Sequence, residues 1–225
     1  MLCLCTLILS ACEQATGANP GSSAQPQGRT STLTYVAIGA SDSFGMGTSD
    51  PYTENWPTDL ATLLGPHVHL INLGVPGMTM HPALTAELPI AIDAHPDLIT
   101  IWLAVNDLAI NVPVNSYSRD LNTMLSRLQA AAPHARIAVG NVPDLTSLPF
   151  FATYNQVTLR QQIKAYNAVI ASAVQRHHVI LVDLSTNGGY NLREFPQYIS
   201  SDGLHPSAAG YFQLAELFFQ ALEKK

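Results

Sequence analysis

Positively charged residues are scarce in this sequence. Ten Lys and Arg stand against sixteen Asp and Glu among 225 residues, and the net charge is −6. Because the ten are scattered, the chain has no basic patch of the kind that binds a phosphate backbone, and nucleic acid is excluded as a partner. Charged residues of both signs make up 12% of the sequence and hydrophobic residues 47%. This balance is typical of a single globular domain with a large core.

Cysteine is missing after residue 12. Cys3, Cys5 and Cys12 all fall in the opening segment MLCLCTLILSAC. The rest of the chain cannot be held by disulfides and must depend on its core. The apolar run of this segment is too short to span a bilayer, and it resembles the end of a secretory signal.

Residues 9–12, LSAC, resemble a bacterial lipobox, in which the Cys is lipidated after cleavage before it. On that interpretation Cys12 carries a lipid anchor, which is the only contact with a membrane that we expect. A lipobox signal usually has a Lys or Arg ahead of its apolar run, and none precedes this one. Either the true start lies upstream, or the segment is a plain secretory signal or a frayed apolar terminus. As a lipobox or a secretory signal, it predicts an exported protein of bacterial type, at the cell surface or secreted.

Residues 13–32 are poor in apolar side chains. Gly, Ser, Pro, Gln and Thr dominate this stretch, EQATGANPGSSAQPQGRTST. Such a composition cannot bury enough apolar surface to fold. We therefore divide the sequence into a leader (1–12), a flexible tether (13–32) and a domain (33–225).

The domain alternates short apolar runs with amphipathic stretches. Five runs rich in Val and Ile have the pattern of parallel strands buried on both faces: LTYVAIGA, HVHLINLG, DLITIWLAV, ARIAVGNV and VILVDL. The stretches 116–132, 158–178 and 207–225 carry apolar residues at helical spacing. The alternation predicts an α/β fold, a three-layer αβα sandwich around a five-stranded parallel sheet, and we favour the flavodoxin-like strand order 2-1-3-4-5.

Polar residues and glycines follow the predicted strands, at the edge where open parallel sheets bind ligands. Ser41 follows the first strand in GASDSFG, where its hydroxyl and its own N–H can face the space above the sheet. Gly77 follows the second strand in NLGVPG and can offer an unobstructed N–H. Asn106 follows the third in LAVND, where its amide can donate to an oxyanion. Each segment alone is equally consistent with an ordinary turn, and Asp107 is interpreted as a cap of the turn that follows it.

The segment SDGLHP, residues 201–206, places Asp202 three positions before His205. The carboxylate can fold back to the imidazole, orient it and stabilise its protonated form, as the acid does in a catalytic triad. A helix that begins at Pro206 would put His205 at its N-cap. Asp183, which ends the fifth strand, is a rival acid in the chain order Ser, Asp, His. We prefer Asp202 because it shares a short loop with His205.

Together these segments resemble the sequence blocks of the SGNH (GDSL) hydrolase superfamily, over essentially the whole domain. The residues that fall on the four for which the superfamily is named are Ser41, Gly77, Asn106 and His205. The closing block, D-x-x-H followed by Pro, is matched in full by DGLHP. Two positions depart from the pattern, since Ala40 replaces the Asp of GDS and Ala104 the Gly of GxND. We expect these changes to affect rate and substrate fit, and we expect Asp42 to point elsewhere along the turn.

The resemblance implies a serine hydrolase that cleaves carboxylic esters through an acyl-enzyme, without a cofactor. By analogy Ser41 is the nucleophile, His205 the general acid and base, and Asp202 its orienting acid. The N–H groups of Ser41 and Gly77 and the amide of Asn106 would form the oxyanion hole. The family includes lipases and phospholipases, esterases, thioesterases and carbohydrate deacetylases, so small-molecule, lipid and glycan esters all stay open as substrates.

The long loop after the fourth strand, VPDLTSLPFFATYN (142–155), is expected to border the site. Its aromatic residues Phe150, Phe151 and Tyr154 are candidates for lining an acyl or aryl pocket. The alternative is that these side chains pack the loop onto the domain.

Three other functions receive less support. His67 and His69 share one strand face at a spacing suited to two metal ligands, but no third ligand is evident nearby, and we expect no metal. A non-catalytic binding module at the cell surface would tolerate the departure at Ala40. A flavodoxin-like nucleotide binder would need a phosphate-cradling Gly-rich loop after the first strand, and none is found.

We expect the protein to be a monomer.

Overall fold

The structure is a computed structural model that describes residues 32–185 and 190–224. The predicted leader with Cys12, and all of the predicted tether except its last residue, lie outside the described residues. Within the described ranges, no helix combines the length and the apolar character needed to cross a membrane.

Five parallel strands form one sheet in the order β2-β1-β3-β4-β5, which confirms the predicted fold class and strand order. The strands are β1 (Leu33–Gly39), β2 (Val68–Asn72), β3 (Leu98–Trp102), β4 (Arg136–Gly140) and β5 (Ile180–Val182). Every residue of the central strand β3 is buried. This is why four of its five residues are apolar, with no alternation of apolar and polar side chains.

Eight α-helices lie among the described residues: α1 (Ser41–Phe44), α2 (Trp56–Leu64), α3 (Met80–Ala86), α4 (Leu88–Asp93), α5 (Ala104–Ala109), α6 (Val114–Ala131), α7 (Gln156–His177) and α8 (Ala208–Glu223). Helices α2 and α8 pack against each other and against the sheet. Helices α3, α4, α6 and α7 form a second group, so the sheet is covered on both faces. The three stretches predicted to be helical are α6, α7 and α8, with ends that differ by one or two residues.

Helix α8 begins later than the sequence indicates. Ser207 is its N-cap, and the Ser207 Oγ accepts a hydrogen bond from the Gly210 N–H at 3.2 Å. Pro206 forms an isolated antiparallel bridge with Ile199 instead of starting the helix. The prediction that His205 caps α8 was therefore wrong, because serine is the stronger N-cap residue. His205 therefore lies in the loop before α8, directly ahead of the bridge formed by Pro206.

Aromatic contacts fix α8 to the segment that follows β1. Trp56 on α2 stacks on Phe218 of α8 with ring centroids 4.3 Å apart, and both side chains are fully buried. The hydroxyl of Tyr211, in the first turns of α8, donates to the carbonyl of Met46 at 2.6 Å. The loop before α8, which carries His205, is thereby held close to the segment that carries Ser41.

Candidate active site

One pocket at the carboxyl edge of the sheet brings together three of the predicted site residues. Ser41, Asn106 and His205 all line it, and it encloses about 440 Å³ of space not filled by atoms, including its open mouth. Most of the remaining wall is apolar, and includes Trp102, Val105, Leu145, Leu148, Leu192 and Leu204. The arrangement places a hydroxyl, an amide and an imidazole around a space that apolar groups can fill.

Ser41 is the first residue of the one-turn helix α1, which starts directly after β1. The carbonyl of Ala40 accepts the N–H groups of Ser43 at 3.1 Å and of Phe44 at 2.9 Å. The side chain of Asn72, at the end of β2, donates to the Ser43 carbonyl at 2.6 Å. No role was assigned to Asn72 from the sequence. Its place as the first residue of the NLGVPG segment is the signal that could have identified it.

A buried carboxyl group lies behind the nucleophile. The Oε2 of Glu87 accepts the N–H of Gly39, two residues before Ser41, at 3.0 Å, while the Glu87 Oε1 has no hydrogen-bond partner among the described residues. Burial raises the pKa of Glu87 to about 8, although the Gly39 N–H opposes the rise. Sequence reasoning missed Glu87, and no motif surrounds it that would have drawn attention.

Asp202 and His205 form a short polar contact at the site. The Asp202 Oδ2 lies 2.6 Å from the Nδ1 of His205, while its Oδ1 accepts from the Ser200 hydroxyl and from the N–H groups of Leu204 and His205. Burial by itself would raise the pKa of Asp202, but these hydrogen bonds hold it well below its usual range. The carboxylate therefore stays ionised and fixes the imidazole, so that its Nε2 is left for another partner.

The loop predicted to line the pocket does so through other residues. Phe151 is fully buried and packs against Phe150 and Tyr154, which are partly exposed. None of these three rings lines the pocket, whereas Leu145 and Leu148 of the same loop do. This part of the prediction is corrected, because the rings pack on one another while the aliphatic residues before them turn inward.

The same loop supports the acid–base segment. The N–H of Phe150 donates to the carbonyl of Gly203 at 3.0 Å. Gly203 has a φ of +74°, and a Cβ added there would lie 2.9 Å from the Cβ of Pro149. Glycine is thus required between Asp202 and His205 both for backbone conformation and for space.

Asn106 and Gly77 are connected through a turn. The Asn106 Nδ2 donates to the carbonyl of Met78 at 2.9 Å, and the Met78 N–H donates to the Val75 carbonyl at 3.0 Å. Pro76 and Gly77 occupy the centre of this turn, and Gly77 has the positive φ, +81°, that a type II turn requires. One N–H of the Asn106 amide is thus held by the Gly77 turn, while the other stays available to the pocket.

Asp107 caps a different element from the one predicted. Its Oδ2 accepts the N–H of Met80, the first residue of α3, at 2.9 Å. Burial raises the pKa of Asp107 to about 6, with the Met80 N–H opposing the rise. The two residues of the ND pair therefore have different roles. Asn106 lines the pocket, and Asp107 accepts a backbone N–H at the start of α3.

Asp42 also differs from expectation. We predicted that it points away along the turn, but it lines the pocket beside Ser41. Burial raises its pKa to about 6, the positive charge available on His205 opposes the rise, and Asp202 adds to it. Asp42 and Ser41 are consecutive residues of the helical turn α1. Because consecutive side chains of a helix are about 100° apart, both can border the same pocket.

The rival acid Asp183 lies elsewhere. Its Oδ1 accepts hydrogen bonds from the Asn141 amide at 2.8 Å and from the N–H and hydroxyl of Ser185. Asp183 is not among the residues that line the pocket.

The described residues also contain no cluster of three or more His, Cys, Asp or Glu arranged to hold a metal ion.

Residues 37–212 match the model of the GDSL-like lipase/acylhydrolase family. The chain belongs to this family. A curated arylesterase from Vibrio mimicus is 27% identical to it over 191 residues, which cover 81% of the chain and 86% of the relative.

Two solved structures show the same fold. The crystal structure of TesA superposes with a TM-score of 0.68 at 22% identity, covering 85% of this chain and 98% of the other. An acetylxylan esterase from Geobacillus stearothermophilus superposes with a TM-score of 0.67 at 16% identity, covering 87% and 96%. The fold and the family together identify the chain as an enzyme of the GDSL-like esterase and lipase family.

Proposed function

We propose that this GDSL-family enzyme hydrolyses carboxylic esters by acyl transfer through Ser41. The observation that carries the proposal is the 2.6 Å contact between Asp202 and His205, on a loop that places His205 in the same pocket as Ser41. A nucleophile, a base and an orienting acid in this relation are what acyl transfer to serine requires.

In this mechanism His205 moves the protons. Its Nε2 takes the proton of the Ser41 hydroxyl while the Oγ attacks the ester carbonyl, and Asp202 stabilises the imidazolium that forms. His205 then gives the proton to the leaving alcohol as the C–O bond breaks, which leaves an acyl-enzyme on Ser41. Water, deprotonated by His205, attacks the acyl carbonyl and releases the carboxylic acid, and the serine hydroxyl is restored.

The oxyanion is assigned to three donors. They are the N–H groups of Ser41 and Gly77 and the free N–H of the Asn106 amide. The hydrogen bond from Asn106 to Met78 supports this assignment, because it sets the amide orientation before substrate binds. Donors fixed in advance do not need to reorganise during the reaction, which is the main source of their effect.

Short acyl esters are the proposed substrates. The pocket is narrow and mostly apolar, with its wall built from Leu145, Leu148 and Leu204. A sugar O-acetyl group is the alternative substrate. It is favoured by the structural similarity to an acetylxylan esterase, and it would use the same catalytic residues.

The test combines a covalent probe with an ester panel. A fluorophosphonate should label the wild-type enzyme and not Ser41→Ala, and Asn106→Ala should lower kcat on the best ester about 10²–10³-fold without changing the melting temperature by more than a few degrees. Aryl and alkyl esters of graded acyl length, with an acetylated xylooligosaccharide as the competing arm, identify the substrate. Labelling or turnover of Ser41→Ala at the wild-type level would show that another residue is the nucleophile.

A further inference from the structure

The carboxylate of Asp42 stands out in the pocket wall. It lies beside Ser41 in a lining that is otherwise mostly apolar. Among the described residues, the only hydrogen bond to this carboxylate comes from the N–H of Asp42 itself. Asp42 is half-buried, and its carboxylate is not among the buried side-chain atoms that lack a hydrogen-bond partner. It is open to the pocket, where a charge in partly apolar surroundings is stabilised by a partner of opposite charge.

The charged and titratable groups that face Asp42 do not supply that partner. They are His205, Asp202, Tyr190 and Tyr211. The Nδ1 of His205 is engaged by Asp202, and its Nε2 is needed at the nucleophile. The hydroxyl of Tyr211 donates to the Met46 carbonyl at 2.6 Å.

Tyr190 is engaged in the same way. Its hydroxyl donates to the carbonyl of Tyr198 at 3.3 Å, and its ring stacks on that of Tyr198 with centroids 5.9 Å apart. The hydroxyls of both tyrosines are thus used elsewhere. The open side of the Asp42 carboxylate is the pocket, where a substrate binds.

We propose that Asp42 is a specificity-determining residue, which pairs with a positively charged group of the ester substrate and disfavours esters that carry a carboxylate. The proposal rests on the proposed function, in which Ser41 cleaves an ester in this pocket. A cation near Asp42 supplies a partner of opposite charge. A second carboxylate there would instead meet like charge in surroundings that screen it poorly.

The aromatic part of the wall is compatible with a cation. Trp102 lines the same pocket as Asp42, and the face of an indole ring attracts ammonium groups. An alkylated ammonium suits this lining better than a primary amine. Its methyl groups bury favourably against Leu and Trp, while the carboxylate balances its charge.

The competing explanation is that Asp42 serves His205 rather than the substrate. The carboxylate would then stabilise the imidazolium together with Asp202. In that case its removal slows every ester by the same factor, whatever charge the ester carries. A comparison among matched esters therefore separates the two roles.

The experiment uses three acetate esters of equal length. One is the ester of choline, one its uncharged isostere with a tert-butyl group in place of the trimethylammonium, and one the ester of a carboxylate-bearing alcohol. A second set carries the same three groups on the acyl side, so that either orientation of the ester is tested. The readout is the ratio of kcat/KM values, cationic to uncharged and anionic to uncharged, within each variant.

We expect the wild-type enzyme to prefer the cationic over the anionic ester at least about tenfold in one of the two sets at pH 8. Asp42→Asn should bring that ratio close to one. The control Asp202→Asn should lower all rates together and keep the ratio. An unchanged ratio in Asp42→Asn, or a wild-type ratio near one in both sets, would overturn the proposal.

The pH dependence of the ratio gives a second check. Both esters need His205 in the same form, so its ionisation cancels in the ratio. Burial raises the pKa of Asp42 to about 6, and only the ionised form discriminates charge. The preference should therefore grow as the pH rises through about 6 and level off above 7, and a ratio that is flat from pH 5 to 8 would count against Asp42.

Binding measured without turnover keeps this inference separate from the proposed function. Calorimetry with the Ser41→Ala protein should show weak binding of choline, and at least about tenfold weaker binding of the tert-butyl alcohol. Adding Asp42→Asn should abolish the difference. Suppose that choline binding is preferred and depends on Asp42, but the wild-type enzyme hydrolyses neither these esters nor those of the graded panel. That result would refute the proposed reaction and keep the site, whereas equal binding of the two alcohols would refute the site alone.

Discussion

At the scale of single residues, two carboxylates were candidates for the acid that orients His205, and only one of them contacts it. Asp202 lies 2.6 Å from the His205 Nδ1, whereas Asp183 is engaged with Asn141 and Ser185. The orienting acid of a triad keeps the imidazole in the tautomer whose Nε2 can accept the serine proton. The position of Asp202 fits this role and that of Asp183 does not.

We predict that Asp202→Asn lowers kcat by about 10²–10⁴, because an amide cannot stabilise the imidazolium and can hold the wrong tautomer. Asp183→Asn should change kcat by no more than a few-fold. Steady-state kinetics on one ester, with the melting temperature of each variant as the folding control, compares the two. A larger loss in Asp183→Asn would make that residue the orienter.

Contacts at the candidate site could be predicted from the sequence where neighbours in the chain are also neighbours in space. Asp202 and His205 were paired from a spacing of three because both had to lie on one short loop. Glu87 could not be found in this way, since its contact with Gly39 spans 48 positions. Asp42 was misplaced for a related reason: the direction of a side chain in a one-turn helix depends on what packs around it.

At the scale of elements, the strands were easier to predict than the short helices. A strand buried on both faces has a nearly continuous apolar run, which needs only five residues to be visible, as in β3. Helical periodicity needs about three turns. It was therefore recognised in α6 and α7, and was not visible in α1 or α5, which have four and six residues.

The acid–base loop depends on a second element that packs against it. Gly203 accepts a hydrogen bond from Phe150, and its φ is +74°. We predict that Gly203→Ala lowers kcat at least about tenfold, because the new Cβ would meet Pro149 at 2.9 Å and displace Asp202 from His205.

Gly65 offers a matched control for this prediction. It also has a positive φ, +114°, but a Cβ added there has no atom within 4 Å, and it lies before β2, at the opposite edge of the sheet from the site. Gly65→Ala also carries backbone strain, on the order of 1–3 kcal/mol, but without the collision. Equal catalytic losses in the two variants would attribute the effect to backbone strain alone.

At the scale of the whole molecule, the carboxyl groups give stability a definite dependence on pH. Burial raises the pKa of Glu87 to about 8 and of Asp42, Asp59 and Asp107 to about 6. The folded state then binds more protons than the unfolded state between pH 4 and 8, so the free energy of unfolding falls as the pH rises through this range. Asp202 has the opposite effect on stability. Its pKa is lowered in the folded state, so its contribution to the free energy of unfolding is lost as the pH falls below about 4. Stability should therefore be greatest at mildly acidic pH.

Glu87 dominates the neutral part of this range, because its pKa in the folded state is the highest of the four. We predict that Glu87→Gln, which mimics the protonated acid and cannot ionise, flattens the fall in unfolding free energy between pH 5.5 and 7.5 by about 1.4 kcal/mol per pH unit, the value for one proton. The exposed Glu223, at the end of α8, provides the control variant Glu223→Gln. Urea unfolding at several pH values measures the slope, and equal slopes in the wild-type enzyme and Glu87→Gln would mean that Glu87 is ionised in the folded protein at neutral pH. The carboxyl behind Ser41 would then need a partner for its second oxygen, which the described residues do not provide.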